Sequence, residues 1–403
     1  MKSSSACIGE TFLQSQELMK EVHKSKQKMI LGIPKEREKC EKRLALSPEA
    51  VEMLVEAGYR VLLERGAGNK ANYSDNDYSE AGAEIISEVE VVFKSDLIFK
   101  ISPPTHAEIN MMNNKAIVCS MLELPNFSLS AIKAMMSKQI NAVGYELLSI
   151  DGLSFPVRDS ISEIEGAASI SIASEFLSND HGGKGLLLGG VPGLSPTELV
   201  IIGAGVAGTV AAHTALSLGA SVKVFDNNID KLRKIQQNLG SSLFTSVFHP
   251  RVLTRAFKSA DVVIGAMLYI NTNERYVISE DVIKQMKKGA LIIDLRVNQG
   301  GCFETSCFLP EDHPQIFEEH GIMHYCVPNL SSRVARTTTM SLSNILIPMI
   351  TQMVDQGIAR GIAQIDPGFR SGLYLYGGKF VSSYVASHFN MPSNDIGLFL
   401  SVC

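Results

Sequence analysis

No C-x-x-C pair occurs among the seven cysteines (Cys7, Cys40, Cys119, Cys302, Cys307, Cys326, Cys403), and their number is odd. Scattered, unpaired thiols argue against a disulfide framework and fit a reducing, cytoplasmic setting. Residues 1–28 have no apolar core of the kind a secretory signal needs, and Glu10, Glu17 and Glu21 among the lysines count against a transit peptide. No glycine-free apolar run is long enough to span a bilayer, so no membrane is expected. With a net charge of −5 and no interleaving of aromatic and basic residues, no nucleic acid is expected either. The chain also lacks G-x-S-x-G, H-E-x-x-H and P-loop patterns, internal repeats and low-complexity tracts. What is left is a chain of 403 residues, 45% apolar and 20% charged, with room for two ordinary globular domains.

Its organising stretch is Leu199–Asp226. An apolar strand, Leu199 to Ile202, runs into Gly203-Ala204-Gly205-Val206-Ala207-Gly208; a helical stretch and a second strand ending on Asp226 follow. Each glycine has a physical task in a dinucleotide-binding βαβ unit: the turn at Gly203, close approach of a pyrophosphate at Gly205, helix–sheet packing at Gly208. The helix N-terminus presents unpaired N–H groups to phosphate, and Asp226 is placed to accept from ribose hydroxyls. A carboxylate there repels a 2′-phosphate, so NAD is expected rather than NADP. A βαβ unit without ligand, or a membrane helix, is the competing reading; Thr209, His213, Thr214 and Ser217 speak against the span.

Strands are expected at Met29–Ile33, Tyr59–Leu63, Leu97–Ile101, Ala116–Ser120 and Asn141–Gly144, with helices at Pro48–Gly58 and Leu129–Ser137. A helical stretch, Ser160–Asn179, leads to the glycine-rich loop Gly182–Gly190. Beyond Asp226 come a helix at Ile229–Leu239, strands at Val262–Ala266, Leu291–Leu295 and Met323–Val327, and a long helix at Thr339–Asp355. This alternation predicts an α/β fold in which a central Rossmann domain (159–336) is inserted in a discontinuous substrate domain (29–158 and 337–403). Residues 1–28 are a polar extension, with one exposed helix at Phe12–His23. The aromatic cluster Tyr374, Tyr376, Phe380 and Tyr384 reads as packing. A cleft between the two domains is the expected substrate site. His313, His320 and His324 cluster, but without a ligand carboxylate at the right spacing no metal is expected.

Several stretches together resemble the alanine dehydrogenase and transhydrogenase α-subunit family, nearer the alanine dehydrogenase branch. They include Gly32-Ile33-Pro34-Lys35-Glu36, Arg43–Pro48, Ser162-Glu163 with Gly166, Gly182–Gly185, the glycine loop, Asn228–Arg233 and Gln299–Glu304. The resemblance implies an NAD-binding, two-domain oxidoreductase, a homo-oligomer and often a hexamer, that interconverts L-alanine with pyruvate and ammonia in catabolism. It also implies that Asp226 and Lys231 hold the adenosine end and that Met267 and Leu268 line the cofactor. By the same carry-over Ser162, Leu295, Val297, Asn298, Val327, Asn329 and Leu330 approach the nicotinamide, and Arg43 binds the substrate carboxylate.

Three positions depart from the family pattern. Ser102 stands where the family has a second carboxylate-binding lysine, Glu123 where it has the catalytic histidine, and Asn298 where it has the catalytic aspartate. Serine supplies no cation, an ordinary glutamate is a poor acid at neutral pH, and asparagine positions water without taking its proton. Arg296 is a candidate replacement cation, and Glu123 with Glu146 would suit a substrate bearing a positive group. An NAD(H)-binding protein without catalysis, and a transhydrogenase-like α subunit, are the alternative functions.

Overall fold

A computed structural model describes residues 29–122, 127–149, 154–267, 277–308, 316–355 and 367–397. The helix expected at Phe12–His23, together with Glu123, Leu268 and His313, lies outside these residues.

Two sheets carry the fold. The first contains β1 (Ile30–Ile33), β2 (Arg60–Glu64), β3 (Glu84–Ile86), β4 (Leu97–Phe99), β5 (Ile117–Ser120) and β6 (Asn141–Gly144), joined by β14 (Leu373–Tyr376) and β15 (Lys379–Phe380). Its order is β15-β14-β6-β5-β4-β1-β2-β3. The six N-terminal strands run parallel, and β14 and β15 are antiparallel additions at the edge beyond β6. The C-terminal segment thus completes the sheet begun at the N-terminus. Tyr374 and Phe380 are buried there, whereas Tyr384 is exposed.

The second sheet contains β7 (Glu198–Ile202), β8 (Ser221–Phe225), β9 (Phe244–Ser246), β10 (Val262–Gly265), β11 (Leu291–Asp294), β12 (Ile316–Glu319) and β13 (Ile322–Tyr325). Its order is β12-β13-β11-β10-β7-β8-β9, parallel except for the β12–β13 edge pair. Setting β12 aside, this is the doubly wound 3-2-1-4-5-6 arrangement, in which a dinucleotide crosses the switch point between the first and fourth strands, here β7 and β10. Strands buried on both faces are near-continuous apolar runs, as in Leu199–Ile202, Val262–Ile264 and Leu291–Ile293.

Local chemistry explains the helices that matter here. Pro48–Glu56 starts with proline in its first turn behind Ser47, whose side chain accepts from the Ala50 N–H, and it buries Ala50, Val51 and Leu54. The connecting helix spans Pro156–Leu177, beginning four residues earlier than expected because Pro156 supplies its first turn. It packs closely on the helix Val206–Ser217. A Cβ at Gly166 would run into the Ala207 carbonyl oxygen, so glycine sets that approach. The last long helix, Ala335–Asp355, hydrogen-bonds back to the N-terminal loop: Leu44 N–H donates to Thr339 Oγ1 (3.0 Å) and Ser47 N–H to Ser343 Oγ (2.8 Å). Those bonds tie the loop carrying Arg43 to the segment that follows the second sheet.

Candidate active site

The glycine loop has the shape a dinucleotide requires. Gly203 has φ +108, the left-handed region open to glycine, and a Cβ there would lie 3.0 Å from the backbone of Ala266 and Met267. A Cβ at Gly208 would run into the Gly203 carbonyl oxygen, whereas one at Gly205 would meet nothing within 4 Å. Gly203 and Gly208 are thus needed by the protein itself, and Gly205 leaves open space beside a helix N-terminus. No side chain caps that end, so the N–H groups of its first turn face outward for an anion. Val206 is partly exposed at the same end, and Ala207 is buried beneath it.

Asp226 closes the loop. One carboxylate oxygen accepts from Ala204 N–H and the other from Asn228 N–H, both at 2.8 Å. A carboxylate has about four acceptor positions, which leaves two for ribose hydroxyls. Lys231 is exposed on the helix Ile229–Leu239, just beyond. These residues fit the adenosine half of a dinucleotide. On the other half of the sheet, the segments after β10, β11 and β13 bring Met267, Leu295, Val297, Asn298, Val327, Asn329 and Leu330 to the same edge. Ser162 is buried on the connecting helix.

The C-terminal ends of the parallel strands of both sheets converge on a cavity of about 550 Å³. The first sheet contributes Arg43, Ser102, Met121 and the Thr105–His106 lip; the second contributes Val297, Asn298, Pro328 and Asn329. Arg43 and Asn298, far apart in sequence, therefore share one wall space. Arg43 is buried, with Nε and Nη2 donating to the two Glu41 carboxylate oxygens at 2.8 and 2.5 Å and Nη1 donating to Ser331 Oγ at 3.0 Å. Burial works against its charge, but Glu41 outweighs burial and holds the guanidinium protonated beyond its ordinary range. Of five guanidinium N–H groups, these bonds use three.

Behind Arg43, Ser331 Oγ also reaches Glu165 Oε1 (3.4 Å), and Glu165 Oε2 lies 3.8 Å from Arg296 Nη1. Glu41, Arg43, Glu165 and Arg296 thus alternate in sign beneath the site. Arg296 is not among the residues on the cavity wall; it balances Glu165. Glu146 is likewise elsewhere, accepting from the Tyr374 hydroxyl at 2.7 Å under the first sheet's antiparallel edge. Neither was visible in sequence as a member of these pairs, because the partners are distant in the chain.

Ser102 is held in the wall by Glu36, whose carboxylate accepts from the N–H groups of Ile101 (2.6 Å) and Ser102 (3.3 Å). Burial pushes the Glu36 carboxyl up, against the pull of Lys100 Nζ 3.6 Å away. Lys100 is itself buried and bonded to Glu108 Oε1 (2.9 Å), with its carbonyl accepting from the Tyr145 hydroxyl. This lysine braces the loop rather than the cavity. Below Asn298, Asp294 accepts from Arg296 N–H, Cys302 N–H and Ser306 Oγ and fixes the turn after β11. Burial raises its carboxyl against those bonds.

Of the clustered histidines, His320 Nε2 lies 2.6 Å from Glu280, and buried His324 is bonded to Thr305 Oγ1 and the Ile322 carbonyl. Among the described residues no group of three His, Cys, Asp or Glu side chains is placed to hold a metal ion.

Reasoning from sequence missed Glu41, Glu165, Ser331 and His106 as site residues. Only the last had a local signal: Thr105-x-x-Glu108 is a capping box, which starts a helix at His106.

A doubly wound sheet with a phosphate-binding loop, facing a second parallel sheet across a cleft, defines a nucleotide-binding α/β protein of the dehydrogenase class. The family models for the alanine dehydrogenase/PNT N-terminal and C-terminal domains match residues 32–165 and 169–383. The chain belongs to the alanine dehydrogenase/PNT family. It is 34% identical over 368 residues to an alanine dehydrogenase of Staphylococcus saprophyticus, covering 91% of this chain and 99% of that one. It is 35% identical to alanine dehydrogenase 2 of Staphylococcus aureus, covering 91% and 98%. A solved L-alanine dehydrogenase superposes with a TM-score of 0.83 at 32% identity, over 90% of this chain and 99% of that one. A transhydrogenase from Sinorhizobium meliloti shares the fold, with a TM-score of 0.74 at 23% identity over 88% and 99%. The protein is accordingly an alanine-dehydrogenase-like oxidoreductase. No helix among the described residues is long and apolar enough to cross a membrane.

Proposed function

We propose that the protein is an NAD-dependent oxidoreductase that interconverts L-alanine or a related amino acid with its 2-oxo acid and ammonia. One observation carries the reading: Arg43, on the first sheet's side, and Asn298, on the nucleotide sheet's side, line a single cavity. NAD, when bound, supplies the two-electron oxidation or reduction at the substrate carbon. Gly203–Gly208 and Asp226 hold its pyrophosphate and adenosine ribose, and Ser162, Met267, Leu295, Val297, Val327, Asn329 and Leu330 frame its far end. A carboxylate at Asp226 favours NAD over NADP.

Arg43 recognises the substrate carboxylate. Its Nε side is taken by Glu41, and two N–H groups remain for a ligand, enough for one carboxylate. Asn298 orients water through its amide, and Ser102 contributes a neutral hydrogen bond. In this reading 29–158 and 337–403 form the substrate half and 159–336 the nucleotide half. We further infer a homo-oligomer in the cytoplasm; exposed Leu187 and Leu194 give a subunit contact apolar surface to cover, and sedimentation analysis tests it.

The decisive experiment titrates the purified protein with NADH, then follows NADH oxidation with pyruvate and ammonia and with a panel of 2-oxo acids. Binding with turnover supports the proposal. Binding without turnover on any substrate favours a nucleotide-binding protein without catalysis, for which Asn298 and Ser102 are the chemical grounds. Absence of NADH binding overturns both.

A further inference from the structure

We propose that His106 is the general acid–base of this site, an inference that rests on the oxidoreductase reading above. Deamination needs a group that takes a proton from water and returns one to nitrogen near neutral pH. The hydroxyl and amide side chains on the wall do not titrate there, and Arg43 is held charged. The other titratable groups on the wall are Glu38, Cys40, Glu41 and His106, and Glu41 is committed to Arg43. Of those residue types only imidazole ordinarily titrates near pH 6.5, the best match to neutral conditions. His106 is the one imidazole among the described wall residues.

The structure also anchors the helix that carries this ring, which is exposed at the lip of the cavity. His106 opens the helix His106–Met111, whose start is fixed by reciprocal bonds: Glu108 N–H to Thr105 Oγ1 (3.3 Å) and Thr105 N–H to Glu108 Oε2 (2.8 Å). Glu108 is in turn bonded to buried Lys100. The ring's own partner is Asn110, one helical turn on, whose Nδ2 donates to His106 Nδ1 at 3.2 Å. In the neutral ring this places the proton on Nε2. Turned over, the same amide accepts from Nδ1–H through Oδ1 and frees the Nε2 lone pair for a proton. Asn110 is therefore a positioning residue that serves either tautomer.

The proton balance is complete with water alone. Oxidation of the amino acid leaves an iminium ion. The water oxygen forms a bond to its carbon, the C=N π pair moves to nitrogen, and His106 takes one water proton, giving a neutral carbinolamine. The imidazolium then protonates the amine nitrogen. The C–N bond breaks with its pair going to nitrogen, the hydroxyl oxygen forms the carbonyl, and the hydroxyl proton leaves with ammonia as ammonium. Iminium and water have become 2-oxo acid and ammonium, and His106 is neutral again.

His106→Gln in the full chain tests this. The expected result is a loss of about 10²- to 10⁴-fold in kcat, unchanged NADH affinity, and disappearance of one limb of the pH profile. His320→Gln, at an imidazole outside the cavity wall, is expected to keep that limb. Turnover of His106→Gln within about threefold of the unaltered protein, with the limb intact, would overturn the proposal. A second measurement reports without turnover: the His106 ring-proton resonance is titrated with NADH, then with NADH and pyruvate. A changed midpoint only when both are present supports the role. NADH binding with an unmoved midpoint refutes it, whereas failure to bind NADH refutes the functional reading on which it stands.

Discussion

Replacing Glu41 with glutamine removes the charge that grips Arg43 while keeping the side chain's shape. The two side chains are 1% and 2% exposed and 2.5 Å apart at closest approach. At an effective dielectric of about 20, unit charges roughly 4 Å apart attract by about 4 kcal/mol, and removing one partner of a buried pair typically costs about 3–5 kcal/mol. Glu165 still faces Arg43 through Ser331, which places the expected loss near the lower end, about 3 kcal/mol. For a domain of about 150–250 residues that corresponds to a fall in Tm of about 6–12 °C. Thermal unfolding followed by circular dichroism measures it, and NADH titration provides the control. NADH affinity should hold, because the glycine loop and Asp226 make no contact with this pair. The KM for the 2-oxo acid should not rise, since Glu41 competes for the guanidinium. An unchanged Tm, or a KM raised together with weakened NADH binding, would refute the argument that Glu41 is Arg43's internal counter-ion.

Gly205→Ala should leave thermal stability unchanged and, on the proposed reading, weaken NADH binding by about tenfold or more (about 1.4 kcal/mol), because its Cβ meets no protein atom within 4 Å and would enter the space proposed for phosphate. Gly208→Ala should lower both stability and binding, since its Cβ runs into the Gly203 carbonyl; equal behaviour of the two variants in melting and titration would sink this division of labour. Asn298→Asp combined with Glu123→His should raise turnover of pyruvate and ammonia by about tenfold or more, read from NADH oxidation; no gain would show that these two departures from the family pattern do not limit the rate. Burial holds the His324 imidazole below its ordinary pKa of 6.5, so the unfolded chain binds the proton first. Its contribution is therefore fully present above pH 6.5 and is lost as the pH falls through its folded value. Urea midpoints measured downward from pH 7 should fall more steeply for the unaltered protein than for His324→Gln, and parallel curves would contradict the assignment.

The nucleotide half was legible because its signals are local. Strand, Gly203–Gly208, helix, strand and Asp226 follow one another within a single βαβ unit, and sterics at Gly203 and Gly208 allow little else. The two sheets were readable as alternation but not at their edges: β3, at the edge of the first, and β9, at the edge of the second, are only three residues each, too short to show a period. Strand ends slipped by a residue or two where apolar runs outlast the ladder, as at Tyr59. The chemistry beneath the cavity was not legible, because Arg43, Glu165, Arg296 and Ser331 come from four separate parts of the chain. In sequence Arg43 looks like one charge in a charged loop, and only folding reveals that its nearest carboxylate lies two residues away. Asp226 shows the same limit. Its ribose role is read from position, whereas its bond to the Ala204 N–H becomes visible only when the loop is closed.

The charges around the cavity also bound the substrate on the proposed reading. Arg43 is the one permanent cation among the described wall residues, and Glu41 already neutralises it, while Glu38 adds a second acid to the wall. Ser102 brings no charge, and Arg296 is turned to Glu165 rather than to the cavity. Two free guanidinium N–H groups match the two oxygens of one carboxylate, so a substrate with a second carboxylate would bring an anion into a wall that already carries two. Such a charge finds no cation there, and burying it unpaired is costly. Apolar Met121, Phe127 and Phe308 instead surround the remaining space. In the 2-oxo acid panel, monocarboxylates with small or apolar side chains should therefore be turned over in preference to 2-oxo dicarboxylates. Equal kcat/KM for both classes would show that a cation outside the described wall, and not Arg43 alone, sets the recognition.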